Sequence, residues 1–355
     1  MRSLIIALVL LLGLVFVFIH FGEVQAIADT LQRGDWRFLL LAVGVQVAWV
    51  LNMAASFRAV YRGIGLEEKI ERLFLAVAAA NFINVVAPSG GMGGIAIFIS
   101  QANKRGQSTA RVTVAGVLVV LFDYLGFLCV LCLGLIVLLR RNHLGSIEVI
   151  ASVILAFIAC VLASILYVGM RSADAMGRLL AWMARLGNRI LHPFIHREYI
   201  SEDRAINFAR EAAEGLQLLR QKPENLLMPA ALGLSSKALM ISILFLVFLA
   251  FDVPFSVGTL IAGFSIGYLF IIMSPTPAGI GFVEGALTLS LRSLNVPLGA
   301  ATVVALAYRG ITLWIPLFFG MLAFRWLSRE TGIQSPKLAD LAVPAENISD
   351  RVKDG

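Results

Sequence analysis

The hydrophobic residues of this chain fall into long uninterrupted runs. A helix needs about 20 apolar residues to cross the hydrocarbon core of a bilayer. Six runs are predicted to form such helices: Leu4–Phe21, Phe38–Ser56, Val112–Leu139, Ile147–Met170, Leu226–Phe251 and Leu298–Trp326. The first run also resembles a signal peptide. Its 18 residues exceed a typical signal-peptide core, so we interpret it as a membrane span.

Two further apolar segments, Leu73–Ser100 and Thr259–Leu291, are interrupted by proline and glycine. Proline removes a helical hydrogen bond and glycine relaxes the backbone, so each segment is predicted to form two half-helices joined by a turn. Each half of the first segment covers about 20 Å, which is too short to span. We therefore predict re-entrant hairpins, which occur only where they are buried in protein or line a wet cavity. The longer halves of the second segment leave two full spans as an alternative.

The composition agrees with a membrane protein and excludes a soluble or disordered one. Hydrophobic residues make up 59% and charged residues 14% of the chain, and the mean hydropathy is +0.88. Soluble domains are usually about 45–50% apolar and about 25% charged. The predicted fold class is an all-α polytopic membrane protein with about six spans and two re-entrant hairpins.

The positions of the basic residues predict the orientation in the membrane. With six spans and two hairpins, 22 of the 29 Lys and Arg residues lie on the side of the N-terminus, and five lie on the other side. Basic loops stay in the cytoplasm, so both termini are predicted to be cytoplasmic. Single crossings in place of hairpins would spread the basic residues over both sides. The positive net charge is thus a topology signal, and no nucleic-acid partner is predicted.

The order span, span, hairpin, span occurs twice, and the second copy starts on the opposite side of the membrane. This predicts an inverted-topology repeat, an architecture common among secondary transporters. The first repeat comprises residues 1–139 and the second comprises 140–327, followed by a polar tail at 328–355. Both interruptions carry the pattern P-[ST]-x4-G, at Pro88 and at Pro275.

A cytoplasmic linker, residues 171–224, lies within the second repeat. Its apolar residues recur at helical spacing: Met176, Leu179, Leu180, Met183, Leu186 and Ile190. Arginines occupy other faces of the same segment. The pattern predicts an amphipathic helix that either lies on the anionic inner leaflet or packs on the helix bundle.

Four ionisable side chains are predicted to lie at membrane depth: Asp123, Lys237, Glu284 and Arg309. Such groups are costly in a bilayer and usually face one another or a cavity. The two acids and two bases either neutralise one another and lock the halves together, or exchange partners with a substrate headgroup. We favour a substrate site, because broken helices at membrane depth imply a cavity. The alternative for Lys237, which lies about eleven residues into its span, is that its side chain extends to the interface.

Residues near the interruptions complete the predicted substrate site. Arg309 suits a phosphate, since a guanidinium binds two oxygens at once, and Tyr308 is its polar neighbour in the predicted site. The glycine-rich turns would add backbone N–H groups and half-helix N-termini, which attract anions. These regions contribute Asn84, Ser89, Gly90, Gly91, Gly279 and Gly281. No catalytic residue, metal or cofactor is predicted.

At these motifs the sequence resembles the lysylphosphatidylglycerol synthase transmembrane region, also called the flippase-like integral membrane family. The resemblance rests on Asn84–Gly94 with Asp123 downstream, and on Pro275–Gly285 with Ala307–Trp314 downstream. It covers nearly the whole chain. It implies a protein of a bacterial or archaeal inner membrane that moves a polar lipid across the bilayer, or accompanies that movement.

The chain departs from the family pattern in one place. Many relatives follow the Gly-Gly at the end of the first motif, here Gly93 and Gly94, with an acidic residue and, three positions later, an arginine, whereas this chain has Ile95 and Phe98. The departure removes a polar pair that the family pattern would place near a headgroup on the cytoplasmic side.

The resulting hypothesis is a flippase-like transporter of an anionic or aminoacylated phospholipid, or of a lipid-linked headgroup, working by alternating access. In multidomain relatives a soluble aminoacyltransferase domain follows this region, but here about 29 residues follow the last span. We therefore do not expect this chain to lysinylate lipids, and it has no P-loop pattern. A membrane-embedded lipid-modifying transferase and a non-catalytic scaffold are the alternatives.

Overall fold

The computed structural model describes residues 21–86, 92–140, 146–191, 202–274 and 276–331. These ranges form helices joined by short turns and contain no strand. In chain order the α-helices are α1 (Phe21–Leu31), α2 (Trp36–Gly63), α3 (Ile70–Val86), α4 (Met92–Lys104), α5 (Thr109–Arg140), α6 (Ser146–Arg171), α7 (Ala173–Leu191), α8 (Glu202–Gln221), α9 (Leu227–Ala250), α10 (Val257–Met273), α11 (Phe282–Ser293), α12 (Leu298–Arg309) and α13 (Ile315–Thr331). A π-helical turn, Gly310–Trp314, joins α12 to α13.

Five helices of the described ranges are long and apolar enough to cross a membrane: α2, α5, α6, α9 and the continuous helix α12–α13. Many of their apolar side chains point away from the protein. In α6, for example, Val153 and Phe157 are 63% and 68% exposed. Exposed apolar rows of this kind are the surface that lipid covers. The chain is an all-α, multi-pass membrane protein, as predicted; residues 4–20 of the first predicted span lie outside the described residues.

Both predicted interruptions are breaks between two helices. α3 ends at Val86 before α4 starts at Met92, and α10 ends at Met273 before α11 starts at Phe282. In each case the two half-helices pack against each other, as the arms of a hairpin do. α11 has 12 residues and covers only about 18 Å, which favours a hairpin over two full spans. Re-entry into a membrane stays a prediction.

Each hairpin packs on the last span of the other half of the chain. α3 lies along α13, and α10 lies along α5. A glycine lies at a point of close approach in each of these two helix contacts. A Cβ added at Gly320 would meet the backbone of α3, and one added at Gly134 would meet a side chain of α10. Gly134 and Gly320 stand at the same distance after Asp123 and Arg309, 11 residues in each case. A repeat would produce such pairing; its inverted orientation stays a prediction.

The two halves also meet where α5 crosses α9 with the backbones in contact. A Cβ added at Gly126 would lie 2.6 Å from the carbonyl oxygen of Gly233, and one added at Gly233 would lie 2.5 Å from that of Phe122. Small residues at both positions let the helices approach this closely. The crossing lies one residue from Asp123 and about one turn from Lys237, so it brings these two residues together.

The 171–224 linker contains two helices, whereas one was predicted. α7 is the predicted amphipathic helix, and α8 follows it. α8 packs on α7, α6 and α5 and buries Ala212, Leu216 and Leu219 almost completely. Much of its buried face is alanine, which gives a weak hydrophobic pattern, and this explains why the sequence did not reveal it. The contacts of α8 place this part of the linker on the bundle, and the position of α7 on the inner leaflet stays a prediction.

Replacing Gly233 with valine is expected to force α5 and α9 apart. Overpacking of this kind lowers the free energy of unfolding by about 1–3 kcal/mol. The measurement is the thermal unfolding midpoint of the protein in detergent. Gly44→Val in α2 is the matched control, because a Cβ there meets nothing within 4 Å. Equal midpoints for the two variants would contradict the close crossing.

Candidate functional site

The four predicted ionisable residues form two buried ion pairs. Lys237 on α9 lies 2.7 Å from the carboxylate of Asp123 on α5, and Arg309 at the end of α12 lies 2.7 Å from Glu284 on α11. Lys237 is 1% exposed and Arg309 is 3% exposed. An unpaired charge at these positions would be strongly destabilising, so each base is held by an acid. The first pair joins the two halves of the chain, and the second lies within one half.

A tyrosine on α10 completes the first ion pair. Lys237 Nζ donates to the hydroxyl of Tyr268 at 2.7 Å, and that hydroxyl donates to Asp123 at 3.0 Å. Ser236 donates to the same carboxylate at 3.3 Å and accepts a hydrogen bond from Trp49 Nε1 at 2.9 Å. Residues of α2 and α5 therefore meet residues of α9 and α10 in one polar network.

The sequence reasoning missed Tyr268, Ser236 and Trp49. Single polar groups within apolar helices commonly form hydrogen bonds to neighbouring helices, and this signal was present in the sequence. The interpretation of Lys237 as a residue that reaches the interface is wrong. Its ammonium is buried, bonded to Asp123, and lies 4.0 Å from the centroid of the Tyr268 ring.

The second ion pair lies at the break between α10 and α11. Arg309 Nε donates to Glu284 Oε1 at 2.7 Å, and Arg309 Nη2 donates to the carbonyl oxygen of Ala278 at 2.7 Å. Ala278 is left-handed, with φ of 54°, and Gly279 and Gly281 both have φ of 75°. Left-handed residues end the helical hydrogen bonding and leave carbonyl groups without helical partners. Arg309 supplies a donor to one of them.

Arg309 is the last residue of α12, directly before the π-helical turn. Turns of this kind inside α-helices are frequent at functional sites. Its neighbour Tyr308, also predicted as a site residue, does not bond to Arg309 or Glu284. The Tyr308 hydroxyl donates to Met240 Sδ of α9 at 3.8 Å, and Tyr308 is 6% exposed. Tyr308 therefore packs against α9.

Glu284 has a free oxygen beside the helix break. Oε1 accepts from Arg309, while Oε2 is buried and has no hydrogen-bond partner in the described part of the chain. Glu284 stands in the first turn of α11, where backbone N–H groups and the helix dipole favour negative charge. An anion that entered here would meet the same donors as Glu284. Among the described residues, no three His, Cys, Asp or Glu side chains are grouped as metal ligands.

The first glycine-rich motif is described only at its flanks. Asn84, at the end of α3, accepts a hydrogen bond from the backbone nitrogen of Gly94 at 2.7 Å and so caps the start of α4. This bond holds the two arms of the first hairpin together. Asn84 is exposed and bonds to neither ion pair. Ser89, Gly90 and Gly91 lie outside the described residues.

A comparison with protein families identifies what the chain is related to. The family described as the lysylphosphatidylglycerol synthase TM region matches residues 4–320. The chain belongs to this family. The matched range contains both hairpins and both ion pairs, so these are features of the family region of the chain. No curated protein gives a significant match.

In this member of the lysylphosphatidylglycerol synthase TM region, the two residues that differ from the family pattern, Ile95 and Phe98, pack between helices. Phe98 is 7% exposed and stacks on Phe57 of α2, with ring centroids 4.2 Å apart. Ile95 faces α5 at Gly116, where an added Cβ would lie 3.8 Å from Ile95 Cγ1. Both positions fill interfaces between helices and offer no polar group to a headgroup.

Removing one member of the Asp123–Lys237 pair is expected to destabilise the protein strongly. Asp123→Leu leaves a buried ammonium without its acid, which costs about 3–5 kcal/mol. The double variant Asp123→Leu/Lys237→Met removes both charges and should recover most of that loss. Thermal unfolding midpoints in detergent measure both effects.

The control for this pair is Glu214→Ala, which breaks an ion pair between Arg111 and an exposed glutamate. Such a surface pair contributes at most about 1 kcal/mol. If the double variant were no more stable than Asp123→Leu, the unpaired charge would not be the cause of the destabilisation.

Proposed function

We propose that this protein is a transporter that moves a polar lipid across the inner membrane of a bacterium or archaeon, with both termini in the cytoplasm. The observation that carries the proposal is the buried Arg309, held between Glu284 and the carbonyl group of a broken helix. The multi-pass fold and the family match support a lipid-related role. The substrate class is an anionic or aminoacylated phospholipid, or a lipid-linked headgroup.

The geometry around Arg309 suits a phosphate that arrives in exchange for Glu284. A guanidinium binds two oxygens of one phosphate, which strengthens the contact and selects its geometry. The N-terminus of α11 adds an attractive dipole on the same side. Once a phosphate replaces Glu284 at Arg309, the freed carboxylate is available to an ammonium group. A headgroup carrying both a phosphate and an amine would satisfy both partners.

The network around Asp123 gives the two halves a joint that can open and close. Asp123 belongs to the first half, and Lys237 and Tyr268 belong to the second. In alternating access, one half rocks against the other around a central site. Lys237 has two acceptors within hydrogen-bond distance, so it keeps a partner while the halves move. Transport is then downhill or coupled to an ion gradient.

A lipid-modifying transferase is the second candidate, and one observation favours it. A buried carboxylate with a free oxygen, as in Glu284, is also what a general base requires. The two functions differ in their products: a transporter leaves the mass of the lipid unchanged, and a transferase alters it.

Arg309→Ala is expected to slow lipid translocation by about 10- to 100-fold, since a hydrogen bond to a charged group contributes about 1.5–3 kcal/mol. The measurement uses protein reconstituted in vesicles that contain headgroup-labelled phosphatidylglycerol or lysyl-phosphatidylglycerol, with a quencher that does not cross the membrane. Arg309→Lys keeps the charge but loses the guanidinium that donates from two nitrogens. Its translocation rate should lie between those of the wild type and Arg309→Ala.

The matched control is Arg292→Ala, which removes an exposed arginine at the end of α11 and should keep the wild-type rate. A folded Arg309→Ala protein that translocated lipid at the wild-type rate would overturn the proposed role of Arg309. Mass spectrometry of the same vesicles after incubation with aminoacyl or sugar donors provides the second readout. A lipid of altered mass would reject the proposed transporter and support the transferase.

A further inference from the structure

A cavity of about 680 Å³ lies between α2, α3 and α13. Its volume is in the range of sites that hold small ligands. Most of its lining is apolar, and two lining residues of α13, Phe319 and Leu322, are 60% and 59% exposed. The cavity therefore opens sideways from the bundle. In a multi-pass membrane protein such an opening faces lipid.

One residue of the lining does not suit an apolar cavity. Gln46 on α2 is 2% exposed, and neither its amide oxygen nor its amide nitrogen has a hydrogen-bond partner in the described part of the chain. An amide buried without partners is destabilising, and native structures nearly always satisfy such groups. Asn81 on α3 contributes a second amide to the same lining. Two amides on an apolar wall match a ligand that is polar at one end and apolar at the other.

We propose that this cavity binds a phospholipid. The ester groups of the lipid lie at Gln46 and Asn81, where the ester carbonyl oxygens accept hydrogen bonds from the two amide N–H₂ groups. An acyl chain lies along the apolar wall of α3 and α13 and leaves through the opening bordered by Phe319 and Leu322. This arrangement supplies partners for the amide nitrogen of Gln46 and keeps the acyl chain in the hydrocarbon.

The far end of the cavity has the residues of a membrane interface. Arg325 and Trp326 are both exposed and line that end. Arginine and tryptophan are typical of the boundary between hydrocarbon and headgroups. From Trp326 to Ile315, also a lining residue, the helix rises about 16 Å at 1.5 Å per residue. The cavity thus runs from the interface into the membrane.

The cavity is a separate site that lies close to the break held by Arg309. α3 forms one of its walls and also contacts the turn Pro277–Gly279, whose Ala278 carbonyl bonds to Arg309. Ile315 is six residues after Arg309 on the same continuous helix. A lipid bound at Gln46 therefore lies next to the proposed headgroup site at Arg309, and the cavity would serve as a loading site for it. This role as a loading site rests on the proposed function, whereas the binding itself does not.

The test measures lipid binding directly. Delipidated protein in detergent is titrated with phosphatidylglycerol, and bound lipid is counted by native mass spectrometry while the thermal midpoint is followed. We expect Gln46→Leu to bind at least tenfold more weakly and to lose the lipid-dependent rise in the midpoint. Without lipid, its midpoint should equal or exceed that of the wild type, because an unpartnered amide has been removed. A purely structural Gln46 would give a lower midpoint instead.

Two further variants separate the cavity from general effects of mutation. Gln101→Leu is the matched control, since its amide nitrogen is also buried without a partner but does not line the cavity, and it should bind lipid as the wild type does. Ala78→Phe fills the cavity without changing Gln46 and should block binding.

The outcomes distinguish this inference from the proposed function. Undiminished lipid binding by both Gln46→Leu and Ala78→Phe would overturn the inference, whatever Arg309→Ala does to transport. Loss of binding in both variants, with no lipid translocation by the wild-type protein in vesicles, would support the inference and reject the proposed function. A disulfide formed between Leu322→Cys and a cysteine introduced in residues 4–20, with no bound lipid, would show that this chain itself fills the cavity. That result would also overturn the inference.

Discussion

A protein inside a bilayer has no water to satisfy its polar groups, and this constraint governs the arrangement of the chain. Each break in a helix at membrane depth exposes backbone carbonyl groups, and each charged side chain needs an opposite charge. The break between α10 and α11 is stabilised by Arg309, which donates to the carbonyl oxygen of Ala278 and to Glu284. One guanidinium thus satisfies both a backbone group and a charge. The broken helix and the ion pair depend on each other.

The same constraint joins the two halves of the chain. Lys237 is buried only because Asp123 and Tyr268 come from neighbouring helices to meet it. That meeting requires the contact of α5 with α9, where the glycines at 126 and 233 let the backbones touch. Gln46 is the contrasting case, since its amide is buried and has no partner among the described residues. The four charged side chains of the two ion pairs each have an opposite charge, whereas both polar atoms of the Gln46 amide lack a partner and face a cavity large enough for a ligand.

Much of the candidate site was predictable, because a charged or proline-broken segment stands out in an apolar sequence. The sequence alone identifies the four ionisable residues Asp123, Lys237, Glu284 and Arg309. Which acid faces which base was not predictable, since residues 114 positions apart along the chain, such as Asp123 and Lys237, meet only through helix packing. The sequence analysis did not predict Tyr268, Ser236 or Gln46 as site residues, for a related reason. A single polar residue in a span gives no local sign of whether it faces lipid, a partner or a cavity.

The amino-acid sequence by itself determined the membrane class, the five spans among the described residues, the two helix breaks and the residues of the two ion pairs. These follow from local properties: run length, hydropathy, proline and glycine. Only the tertiary structure decided the pairing of charges, the donor that Arg309 supplies to the broken helix, the packing of α8 on the bundle and the cavity at Gln46. These depend on how closely separate helices approach, and that distance is decided by complementary small and large side chains that lie far apart along the chain.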